Sequence, residues 1–139
     1  MPTAFRKKAM DELDQRTDIL KQSGFVDETG RKDLEKLVQV LTQEYGFPHS
    51  DELLGVLVTH VAAALKRQHD GEAINPIEDD ILEDVKSSRV YPEAKEIKDS
   101  IVASMTNQLS PDEENFILVH VGGMLMNPDA IKARKGDVQ

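Results

Sequence analysis

Apolar residues recur at helical intervals along most of the chain. The segment 31–45 (RKDLEKLVQVLTQEY) places five large side chains on one helical face: Leu34, Leu37, Val38, Leu41 and Tyr45. The segment before Gly24 (AFRKKAMDELDQRTDILKQS) is amphipathic with fewer apolar positions and predicts a lead-in helix. No segment shows a convincing strand alternation. The pattern therefore predicts an all-α fold, a compact bundle of about five or six helices.

Glycine and capping residues in the first half mark where helices end and begin. Gly24, Gly46 and Gly71 each stand where a helix can end in the left-handed conformation. Ser50 is followed by two acids, which complement the helix dipole in a first turn. We therefore expect a helix that begins at Ser50 and runs to about His69.

The second half contains two further helix starts. Pro92 suits the first position of a helix over 91–109 (YPEAKEIKDSIVASMTNQL), and Ser110 opens a capping box with proline at its second position. A loop that contains the Asn75–Pro76 pair precedes a shorter helical segment, IEDDILEDVKSSR. Residues 129–139 are predicted to form a tail.

Charge and composition exclude several classes of function. The chain has 17 basic and 26 acidic residues and a net charge of −9, which argues against direct binding of nucleic acid. It has no cysteine, which excludes disulfides and thiolate metal sites. The apolar run Leu53–Leu65 is shorter than the ~20 residues that span a bilayer, so it predicts a buried core helix and no membrane insertion. With no secretory signal in the opening residues, we predict a cytoplasmic protein.

Two histidines lie in otherwise apolar helical stretches. His60 is the only titratable residue in LLGVLVTHVAAAL, and His120 is the only one in FILVHVGGMLM. A separation of seven residues returns to the same helical face, which puts Arg67 on the face of His60 and Glu113 on the face of His120. An arginine there can pair with a phosphoryl group, and a carboxylate can orient an imidazole. Two interpretations stay open: core histidines satisfied by their neighbours, or functional histidines.

Recognisable catalytic and metal-binding motifs are missing from the sequence. The histidines at 49, 60, 69 and 120 form no i,i+4 pair and no HExxH motif, so no metal site is predicted. The chain has no nucleophile elbow and no phosphate-binding glycine loop. We therefore predict no enzyme activity and no cofactor. An acid–base enzyme that uses His120 with Glu113 is kept as a third alternative.

Residues 31 to about 126 resemble the phosphotransferase-system regulation domain (PRD) of bacterial antiterminators and sugar-operon activators. Three segments carry the resemblance, in the family's order and at similar spacing: LVTHVAAALKRQHDGEAINP, YPEAKEI and SPDEENFILVHVGGML. They contain a helical histidine with an arginine seven residues later, an Asn-Pro, a Tyr-Pro and a second histidine in an acid-started helix. On this basis the chain is divided into three parts: a lead-in helix over 1–28, a PRD-like domain over 29–127 and a tail over 128–139.

The resemblance implies a helical bundle that often dimerises and whose two histidines accept phosphoryl groups. The donors are components of the phosphoenolpyruvate-dependent sugar phosphotransferase system, either phosphocarrier or sugar-specific proteins. By position the acceptors here are His60 and His120, with Arg67 and Glu113 as phosphate or interface partners. The implied output is partner binding or homodimer formation and, through a partner, control of the transcription of carbohydrate-utilisation genes.

One position departs from the family's pattern. Family members commonly carry an acid immediately before the first histidine, whereas Thr59 precedes His60 in this chain. An orienting carboxylate is therefore missing at that position. A helical dimerisation or protein-interaction module without phosphoryl transfer is the alternative function.

Overall fold

The computed structural model describes residues 24–128 and Lys132, and every regular element in this part of the chain is helical. Five α-helices follow one another: α1 (Glu28–Gln39), α2 (Glu52–His69), α3 (Asp79–Lys86), α4 (Tyr91–Ser104) and α5 (Pro111–Met126). A π-helical turn, Val40–Glu44, continues directly from α1. The predicted all-α bundle is confirmed. The lead-in helix predicted before Gly24 lies outside the described residues, as does the predicted tail from 129 onward except for Lys132.

Glycines end the helical segments as the sequence predicts. Gly46 follows the π-helical turn with φ of 77°, and Gly71 follows α2 with φ of 76°. These left-handed conformations favour glycine because a side chain would clash with the backbone. After Gly46 the chain folds back so that the N–H of Phe47 donates to the carbonyl of Leu41 at 3.0 Å. The Phe47 side chain is thereby buried in the core.

The central helix α2 confirms the buried helix predicted for Leu53–Leu65. It packs against α1 and α5, and its buried side chains form one side of the core. The predicted start at Ser50 is wrong by one residue: Asp51 is the N-cap, and its carboxylate accepts the N–H groups of Leu53 and Leu54 at 2.8 and 3.2 Å. Neither α2 nor any other helix within the described residues is long and apolar enough to cross a membrane.

Helix α4 ends at Ser104, short of the predicted end at residue 109. The chain becomes extended at Met105, and the N–H groups of Thr106 and Asn107 donate to the carboxylate of Asp33 at 2.7 and 2.9 Å. The side-chain amide of Asn107 adds a third hydrogen bond at 2.8 Å. Asp33 lies on α1 and is fully buried. The Asp33 carboxylate therefore accepts the two backbone hydrogen bonds that carbonyl groups of α4 would accept if the helix continued.

The starts of α4 and α5 differ in how closely they follow the prediction. Pro92 is the second residue of α4 instead of the first, because Tyr91 is already helical. Ser110 caps α5 as predicted, and its Oγ accepts the N–H of Glu113 at 3.3 Å. From this start α5 packs against α2, α3 and α4. The helix that carries His120 is thus held on several sides.

Candidate functional site

The packing of α2 against α5 brings His60 and His120 side by side. Their ring centroids are 5.6 Å apart and the ring planes meet at 65°, an edge-to-face arrangement. The ring of Phe116, one helical turn before His120, lies 5.2 Å from the ring of His60. We call the two imidazoles in contact the histidine pair. The two side chains singled out by the sequence therefore belong to one site.

The two members of the histidine pair differ in exposure. His120 is half-buried, whereas His60 is exposed on the outer face of α2. Val56, one turn before His60, is 40% exposed and lies on the same outer face. The core-histidine interpretation is therefore wrong for His60. Its apolar sequence neighbours mostly point inward, since only one face of a core helix has to be buried.

A backbone carbonyl orients the ring of His120. Its Nε2 lies 2.8 Å from the carbonyl oxygen of Leu53, in the first turn of α2. Because a carbonyl oxygen only accepts, Nε2 carries the hydrogen and donates it. The spacing of seven residues predicts Glu113 on the face of His120, in a position to orient that ring. The orienting group is instead the Leu53 carbonyl, which no side-chain pattern marks in the sequence.

Burial lowers the pKa of His120 below its ordinary value of 6.5. Removal of the ring from water disfavours its charged form. The neighbouring His60 lowers this pKa further, whereas the hydrogen bond to the Leu53 carbonyl and the negative charge of Asp51 act in the opposite direction. His120 is therefore mostly neutral at pH 7, which leaves one ring nitrogen with a lone pair.

We expect His120 to make the folded state less stable as the pH falls below 6.5. In that range the unfolded chain binds a proton that the folded chain, with its lowered pKa, still does not bind. The contribution of neutral His120 to folding stability is fully present above pH 6.5. It is lost progressively as the pH falls toward the pKa of His120 in the folded state. Urea unfolding at about pH 7.5 and about pH 5.5 measures the loss, which should be larger in the wild type than in His120→Gln. An equal loss in both proteins would contradict the lowered pKa.

Arg67 and Glu113 bind each other across the interface between α2 and α5. The arginine Nε and Nη2 each donate to one carboxylate oxygen at 3.0 Å. Glu113 is only 6% exposed and Arg67 is 29% exposed, so water screens this pair weakly. The sequence predicts each of them on the face of a histidine, as a phosphate or interface partner. In the structure they bind each other, about 10 Å along the helix axes from the histidine pair.

Apolar residues lie beside the histidine pair, and the negative charge of Asp51 acts on His120. Half-buried Phe116 contacts the ring of His60, exposed Val56 lies one turn before His60, and Gly123 follows one turn after His120. A methyl group added at Gly123 would meet no atom within 4 Å. Within the described residues, no three side chains of metal-binding type lie close enough to hold a metal ion. Beside His60 the described surface is therefore partly apolar and exposed.

The comparisons with known proteins agree with the resemblance found in the sequence. A family model described as PRD domain matches residues 35–124. The uncharacterized protein YhfY of Escherichia coli (strain K12) is 25% identical over 114 residues, which cover 82% of this chain and 95% of that protein. No solved structure matches the chain. Because the family model covers most of the sequence, including both members of the histidine pair, the chain belongs to the PRD family of regulatory domains.

Proposed function

We propose that this chain is a regulatory module of the sugar phosphotransferase system in which His60 and His120 accept phosphoryl groups. The observation that carries the proposal is the histidine pair, two imidazoles in contact where α2 meets α5. The lowered pKa of His120 supports it, since only a neutral imidazole has a nucleophilic nitrogen. Membership of the PRD family supplies the class of donor, a phosphohistidine on a phosphocarrier or sugar-specific protein.

The exposure of His60 favours contact with such a donor. His60 is exposed, so its ring is accessible to a histidine on the surface of another protein. Val56 and Phe116 provide apolar area beside it, which a docked protein would remove from water. These features support docking of a donor protein at the histidine pair.

A phosphoryl group changes the electrostatics of this surface. It adds about two negative charges to a protein whose net charge is already −9. Arg67 is held by Glu113, so neutralising the new charge with Arg67 would require breaking that ion pair. We therefore propose that phosphorylation acts mainly by repulsion, changing homodimer formation or the binding of a regulatory partner. Through that partner the module would control the transcription of carbohydrate-utilisation genes.

A helical dimerisation or interaction module without phosphoryl transfer is the second candidate function. Thr59 favours it, because the position beside His60 holds a hydroxyl that donates to the Gly55 carbonyl at 3.2 Å, instead of a carboxylate. Val56 and Met126 are 40% and 52% exposed, which adds apolar surface for a partner. Under this alternative, replacement of both histidines with glutamine leaves partner binding unchanged.

Intact-mass analysis tests the acceptor function directly. The purified protein is incubated with phosphoenolpyruvate and the general phosphotransferase enzymes, in parallel with His60→Gln and His120→Gln. His69→Gln is the matched control, because His69 ends α2 and its side chain is 80% exposed. We expect acid-labile phosphoryl groups on the wild type and the control, and reduced addition to each variant of the pair. No addition to the wild type, or equal addition to all four proteins, would contradict the proposal.

A further inference from the structure

The Leu53 carbonyl makes the two nitrogens of His120 chemically different. Nε2 donates its hydrogen to this carbonyl at 2.8 Å. A neutral imidazole carries a hydrogen on one nitrogen and a lone pair on the other, so the lone pair lies on Nδ1. Only the nitrogen with the lone pair attacks phosphorus. The hydrogen bond therefore selects one nucleophilic atom in the ring.

The position of Leu53 reinforces this selection. Its own N–H is bound by the N-cap carboxylate of Asp51 at 2.8 Å, which fixes the first turn of α2. A phosphoryl group on Nε2 would have to occupy the space where the Leu53 carbonyl now accepts the hydrogen bond. The phosphoryl oxygens and the carbonyl oxygen are all hydrogen-bond acceptors, so they would repel each other. Reaction at Nδ1 leaves this contact intact.

We propose that His120 accepts its phosphoryl group on Nδ1 and that the Leu53 carbonyl determines this choice by holding Nε2. The inference rests on the proposed acceptor function and adds the atom that reacts. The P–N bond of the donor phosphohistidine breaks as a P–N bond to Nδ1 forms, and no group is oxidised or reduced. The donor imidazole leaves with the bonding pair. The hydrogen on Nε2 stays in its bond to Leu53.

A phosphoryl group on Nδ1 would strengthen the hydrogen bond between Nε2 and the Leu53 carbonyl. With phosphorus on Nδ1 and hydrogen on Nε2, the ring of His120 is formally cationic. A cationic ring is a stronger hydrogen-bond donor than a neutral one, so its bond to the Leu53 carbonyl tightens. Phosphorylated His120 would therefore keep its place against α2 and direct the new negative charge away from that carbonyl.

Phosphorus NMR of His60→Gln tests the inference, because that variant leaves His120 as the single acceptor of the histidine pair. The two isomers of phosphohistidine have different chemical shifts, and we expect the Nδ1 isomer to exceed the other at least about tenfold. Phosphorus on Nε2 would overturn the inference and leave the proposed function standing. An absence of phosphohistidine from the wild type as well would overturn the proposed function.

The tautomer of the unphosphorylated ring gives an independent readout. Two-bond proton–nitrogen correlations in His60→Gln at neutral pH report which nitrogen of His120 carries the hydrogen. We expect hydrogen on Nε2 and a lone pair on Nδ1. Hydrogen on Nδ1 would overturn the inference whether or not phosphorylation is observed. The substitution removes the ring contacts of His60 with Phe116 and His120 and leaves the buried side chains of α2 unchanged.

Discussion

Replacement of Asp33 with alanine will destabilise the protein by about 3–5 kcal/mol. The Asp33 carboxylate is fully buried and accepts three hydrogen bonds, from the backbone of Thr106, the backbone of Asn107 and the Asn107 amide. Alanine leaves all three donors without this acceptor and opens a gap beside α1. Hydrogen bonds to a charged group are worth about 1.5–3 kcal/mol each, but their losses overlap, so we expect less than their sum.

Urea unfolding followed by circular dichroism measures the effect of the Asp33 substitution. Asp84→Ala is the matched control, because Asp84 is an exposed carboxylate on α3. The control should unfold at the same urea concentration as the wild type. A loss below about 1 kcal/mol in Asp33→Ala would show that the loop before α5 does not depend on this carboxylate.

Replacement of Arg67 with alanine will cost about 3 kcal/mol of stability. The substitution removes both hydrogen bonds from Glu113 and leaves its carboxylate buried between α2 and α5 without its cation. An unpaired buried charge is more costly than the absence of the whole pair. The double variant Arg67→Met, Glu113→Leu should therefore be more stable than Arg67→Ala alone.

An exposed ion pair on α4 serves as the control for Arg67. Lys95 and Asp99 lie 2.9 Å apart, but their side chains are 54% and 49% exposed. Lys95→Ala should leave the unfolding midpoint unchanged, since exposed pairs contribute little. Equal losses in Lys95→Ala and Arg67→Ala would show that burial of Glu113 does not determine the strength of the pair.

Local signals in the sequence account for most of the helices. Ser110 and its following acids fix the start of α5, and Gly46 and Gly71 fix two ends, because capping depends on nearby residues alone. The end of α4 was predicted too late because it depends on Asp33, far away in the sequence. In the sequence Asp33 is one of many acids, and nothing local shows that it is buried.

The candidate site was predictable only in part. His60 and His120 stood out because each is the one titratable residue in an apolar stretch. Their contact was not predictable from helical spacing, since it arises from the packing of two separate helices. For the same reason the spacing of seven residues placed Arg67 and Glu113 beside the histidines, whereas the helix interface joins them to each other.

The central claim is that the histidine pair is the phosphoacceptor site of this PRD protein. The most direct test is the amount of acid-labile phosphate bound by the wild type and by the double variant His60→Gln, His120→Gln after treatment with the general phosphotransferase enzymes. A second double variant, His49→Gln, His69→Gln, controls for the other two histidines of the chain. We predict that the wild type and the control bind acid-labile phosphate. The double variant that lacks the histidine pair should bind none. Equal labelling of all three folded proteins would contradict the claim.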